Sequence, residues 1–127
     1  MKKIWIALLI AVLFLSVIPS QAAGDPPPGL AGTLSIVTKD ANTVTLYAEQ
    51  TGGTPVTLTI EHYCYAVSTD DVIVNKVRFI GSITSIFNIS VRTYHGHVFT
   101  PTSCWAYLTY DFSSNRQIVL AEVTTLP

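Results

Sequence analysis

Two short stretches carry the residues whose types and spacing suggest work at a surface. Tyr63 and Tyr65 flank Cys64, and Trp105 and Tyr107 stand one and three residues after Cys104. On alternating strands, Tyr63 and Tyr65 take the face opposite Cys64, and Trp105 and Tyr107 the face opposite Cys104. Cys64 and Cys104 are the only cysteines, and an even pair in an exported chain reads as one disulfide. Closing a loop of about 40 residues should stabilise a small domain by roughly 3–4 kcal/mol. The placement of that bond decides what the rings can do. A link between neighbouring strands of one sheet gathers Tyr63, Tyr65, Trp105 and Tyr107 into one candidate binding patch, suited to stacking on sugar rings or anchoring a protein partner. A link across the core puts the rings on opposite outer faces, as ordinary half-exposed strand residues.

Other chemistry is less well signalled. His95-Gly96-His97 places two imidazoles two residues apart, a weak candidate for copper, nickel or zinc that needs a third ligand from His62 or a carboxylate. His62 lies on the cysteine side of its strand, where a hydrogen-bonded core histidine is the commoner outcome. Asn88-Ile89-Ser90 is an N-glycosylation sequon, which makes Asn88 an acceptor candidate, although the short Lys-Lys start of the chain has a prokaryotic look. Asp70 and Asp71 are adjacent in a turn, poor geometry for an acid–base pair. No G-x-S-x-G turn, Gly-rich phosphate loop or basic stripe is present. The expectation is therefore a non-enzymatic protein with no cofactor, no resident metal and no nucleic-acid partner.

The elements that must position these residues are strands. Beyond residue 22 there are 16 Thr, 11 Val and 8 Ile among 105 residues. One third of that portion is therefore β-branched, stiff at χ1 and suited to a pleated surface. Alternation marks strands over 34–38, 43–49, 56–65, 72–80, 83–94, 104–112 and 117–124, with turn residues between them. In the clearest, Val56, Leu58, Ile60, His62 and Cys64 share one face, and Thr57, Thr59, Glu61, Tyr63 and Tyr65 share the other. Within 72–80 a phase slip near Asn75 reads as a bulge. Seven short antiparallel strands and one disulfide predict an all-β fold: a small β-sandwich, Ig-like only loosely, or an OB-like small barrel. A true immunoglobulin domain would place a Trp between the cysteines, whereas Trp105 follows the second.

The domain organisation follows from the ends of the pattern. Lys2 and Lys3 precede an apolar run of roughly 15 residues, shorter than the ~20 that span a bilayer, and small residues at Ser20 and Ala22 complete a signal-peptide pattern over 1–22. Residues 23–33 read as a stiff Pro-rich leader built on Pro26-Pro27-Pro28, and residues 34–127 as the β domain. Export implies a secreted or cell-surface location, with membrane contact only through an uncleaved signal segment. The remaining five basic and eight acidic residues give too little charge to point to a partner. The first functional expectation is a structural or adhesive surface module, a filament or surface-assembly subunit whose N-terminal strand pairs with a neighbour's sheet edge. Its partners are then copies of itself or another surface protein. The alternatives are a glycan-binding module of the lectin or toxin-B kind, and a small secreted inhibitor or effector using residues 95–103.

Overall fold

The computed structural model describes residues 25–127; the expected signal peptide lies outside them. Nine strands make up the fold among the described residues: β1 (Ala31–Lys39), β2 (Thr43–Gly52), β3 (Thr57–Ala66), β4 (Asp71–Ile80), β5 (Ser82–Asn88), β6 (Arg92–Tyr94), β7 (His97–Phe99), β8 (Ser103–Ser113) and β9 (Arg116–Leu126). They form a four-stranded sheet in the order β9-β8-β3-β4, a three-stranded sheet in the order β1-β2-β5, and the two-stranded hairpin β6-β7. The fold is all-β and its described ladders are antiparallel. The main body comprises residues 27–110 and 118–127, and the tip of the β8–β9 hairpin at 111–117 is a separate local unit. Within that tip the Arg116 guanidinium lies 4.7 Å from the centre of the Phe112 ring.

One apolar cluster joins the two larger sheets. Val44, Leu46 and Ala48 of β2 and Phe87 of β5 meet Leu58, Ile60 and Cys64 of β3 and Cys104, Ala106 and Leu108 of β8. All are inward members of alternating strands, so a period of two delivers a continuous face to each side. β1 is paired along its length with β2 of the same chain. Its other edge lies at the end of the three-stranded sheet.

Three local expectations are corrected. The Pro-rich leader is not uniformly extended: Leu30 N donates to Pro27 O at 3.1 Å and Gly29 has φ +72°. Pro at the second and Gly at the third position of that turn meet the dihedral needs of a type II turn, and β1 begins already at Ala31. A Cβ on Gly52 would stand 2.4 Å from Gly29 O, so the leader can seat here only against glycine. The strand expected over 83–94 is interrupted, because Asn88 Oδ1 accepts from Ser90 N and Oγ at 2.8 and 2.7 Å and Ile89 N turns to Asn42 O. That side-chain turn competes with the ladder and splits the segment into β5 and β6. Finally, β4 pairs with β3 without interruption from Asp71 to Ile80, so there is no bulge at Asn75. The apparent slip arises because Val72 and Val74 are apolar residues on the outward face. The register shifts lie in the β1–β2 pair instead, one of them leaving Val37 opposite no single partner.

Candidate functional site

Cys64 and Cys104 are bonded and directly opposite each other on the adjacent strands β3 and β8, with Cα atoms 4.2 Å apart. The disulfide therefore lies within one sheet. The same register sets Tyr63 opposite Trp105 and Glu61 opposite Tyr107. Because the cysteines point to the core, their neighbours point outward, and the rings fall on one face of the four-stranded sheet.

The rings are organised around Tyr63. It stacks on Trp105 with ring centres 6.0 Å apart and planes 7° from parallel, and meets Tyr107 edge-on at 5.7 Å. Both arrangements suit the quadrupoles of aromatic rings. Tyr63, Tyr65, Trp105 and Tyr107 are all half-buried. Tyr65 is the next residue on that face of β3, but its hydroxyl reaches away to donate to Asp70 Oδ1 at 2.9 Å. That hydrogen bond, with the Asp70 charge, raises the Tyr65 pKa above its ordinary value. Asp70 adopts a φ of +56° in the turn that lets it receive the hydroxyl.

Beside the rings, on the same face, lies a polar cluster. Tyr63 donates its hydroxyl to Glu61 Oε1 at 2.5 Å, and Thr109 Oγ1 donates to Glu61 Oε2 at 3.2 Å. Glu61 is only 2% exposed, with Thr59 and Thr109 buried beside it. Strand β3 is thus buried on both faces along this stretch, including Thr59 and Glu61 on the face opposite Cys64. Two further members of the surface escaped sequence reasoning. Val74 is paired with Tyr63 and Val72 with Tyr65 across the β3–β4 ladder, and both are more than two-fifths exposed. The readable signal was their alternation with Ile73 once β4 is allowed to run unbroken.

The histidines part company. His62 is fully buried, its Nε2 2.8 Å from Thr125 Oγ1 and its ring stacked on Phe87 at 4.9 Å. Burial, aided by the positive charge of Arg92, pushes its pKa down to about 4. Its ring lies beside the disulfide, and the ligand-type atoms of His62, Cys64 and Cys104 fall within 4.8 Å of one another. The sulfurs are bonded to each other and Nε2 is engaged by Thr125, so these atoms form a core contact. His95 and His97 sit exposed on the β6–β7 hairpin, with His95 and Gly96 both at positive φ. Two such residues are what a tight type I′ connection requires. Among the described residues, these two histidines belong to no group of three ligand-type side chains. Asn88, in the sequon, is exposed at the end of β5. The segment 95–103 is partly anchored, since Thr102 N donates to Tyr65 O at 2.8 Å.

Comparison with protein-family models, with curated proteins and with solved structures returned no match.

Proposed function

We propose that this protein is an exported, non-enzymatic surface module that binds its ligand through the aromatic face of the four-stranded sheet. The observation that carries the reading is the in-sheet pairing of Cys64 with Cys104, which aligns Tyr63, Trp105 and Tyr107 on one surface. The parallel-stacked and edge-on rings form one half-buried aromatic surface. That combination suits the C–H faces and hydroxyls of a sugar ring. Both cysteines are engaged in the disulfide, and His62 against Thr125. The apolar N-terminal run supports export, as does a disulfide.

Trp105→Ala is the test. Binding of the purified protein to an immobilised glycan array should be lost in the variant. The melting temperature should fall by only a few degrees, since one aromatic pair is worth about 0.5–1.5 kcal/mol. Binding to no glycan by the wild type, or equal binding by Trp105→Ala, overturns the reading.

Assembly between copies is a second reading, favoured by the edge position of β1 and by its exposed Ile36 and Val37. Unpaired backbone on an edge strand is a template for another chain. Size-exclusion chromatography at high concentration, with and without residues 23–38, tests it: a monomer in both cases removes it.

A further inference from the structure

Asn88-Ile89-Ser90 is a motif that the aromatic face leaves unused. It is the only N-glycosylation sequon in the chain, because Asn42, Asn75 and Asn115 have no Ser or Thr two places on. The fold presents it at the end of β5, where Asn88 is exposed between the buried Phe87 and Ile89. Those two apolar residues anchor the backbone and turn the Asn88 side chain to the outer face of the three-stranded sheet. The backbone is held on both sides of the acceptor: Asn88 is paired with Thr43 of β2, and Ile89 N donates to Asn42 O at 2.8 Å. Open space borders the triplet at both of its ends. Asn88 lines a groove of about 320 Å³ with residues 75–77 and Arg92, and Ser90 lines a second hollow of about 420 Å³ with Ala41, Asn42 and Pro101.

The side chains of the triplet are also arranged for the chemistry. Asn88 Oδ1 accepts from Ser90 N at 2.8 Å and from Ser90 Oγ at 2.7 Å. A carboxamide nitrogen is a poor nucleophile, because its lone pair is delocalised into the carbonyl. Two hydrogen bonds on the oxygen draw electron density toward it and make the Nδ2 protons easier to remove. Nδ2 is the atom that takes a sugar, and among the described residues it has no partner.

We propose that Asn88 is a glycan-attachment site. Its Nδ2 attacks the anomeric carbon of a sugar carried on a polyprenyl phosphate or pyrophosphate at the far side of the export membrane. The bond from Nδ2 to the anomeric carbon forms, and the bond from that carbon to the phosphate oxygen breaks. The lipid phosphate leaves with the bonding pair, and an Nδ2 proton passes to a base of the membrane-bound transferase. The site shares with the proposed function only the premise of export. The rings lie on the four-stranded sheet and Asn88 on the three-stranded one, so the two readings can fail separately.

Mass spectrometry of the protein recovered from the cells that export it tests the proposal. The peptide containing Asn88 should carry a mass increment of hexose or N-acetylhexosamine units, and fragmentation should place it on Asn88. Ser90→Ala should abolish the increment and Ser90→Thr should retain it, because the triplet requires the hydroxyl. Neither substitution should change ligand binding at Trp105. An Asn88 peptide found only unmodified overturns the proposal, as does an increment that maps to Ser90 or survives in Ser90→Ala. Should Ser90→Ala fail to be exported, the wild-type peptide decides alone.

Discussion

Glu61, in the middle of β3, and Arg92, at the start of β6, both turn ionisable groups away from water. The Glu61 carboxyl group is engaged by the hydroxyls of Tyr63 and Thr109, whereas two nitrogens of Arg92 have no partner. The difference follows from position. Glu61 lies on a strand flanked by β4 on one side and β8 on the other, and residues on its own and the adjacent strand reach it. Arg92 lies on a three-residue strand of the small hairpin, where no acceptor of the protein meets its Nε or Nη2. A satisfied polar cluster stiffens the face that carries the rings. An unsatisfied one carries a desolvation cost that its surroundings do not offset.

The largest effect should come from the bond that holds β3 to β8. Replacing both Cys64 and Cys104 by Ala should cost about 3–4 kcal/mol, read as a lower midpoint in urea denaturation. It should also broaden the NMR signals of Tyr63 and Trp105. Next, Glu61→Ala should destabilise the fold by about 2 kcal/mol, because two hydroxyls lose their acceptor in a buried layer. Arg92→Met should act with the opposite sign and stabilise by about 1 kcal/mol, since two buried nitrogens without partners are replaced by an apolar chain of similar length. Equal signs for these two substitutions, measured by the same denaturation experiment, would break the comparison.

A further effect is a pH dependence centred on His62. Its pKa falls from 6.5 to about 4 on folding, so the unfolded chain binds the proton more readily. The stability this group contributes is complete above pH 6.5, and declines as pH falls from there toward about 4. His62→Gln should flatten the stability profile in that window. Arg92→Met should narrow the window by letting the His62 pKa rise, which an NMR titration of the ring measures directly.

Much of the architecture was legible in the chain. Alternation located the long strands, and β-branched content identified the class. The face assignments of Leu58, Ile60, His62 and Cys64 held, because these residues are inward members of β3 and all are buried. The interruption at Asn88–Ser90 was harder to read, since a side chain replaces ladder hydrogen bonds there and leaves the hydrophobic pattern nearly intact. Burial on both faces at Thr59 and Glu61 was invisible to a period of two, which labels faces but not what covers them.

The sequence by itself determined that this is a sheet protein with two cysteines and rings set opposite them, because alternation is a property of each strand alone. Only the tertiary structure decided that β3 and β8 are neighbours, that the disulfide lies within their sheet, and that Tyr63 therefore meets Trp105. It alone placed Arg92 beside the gap between β4 and β5. Strand order and register are set by the whole core closing at once, through contacts between residues far apart in the chain, and no local pattern encodes them.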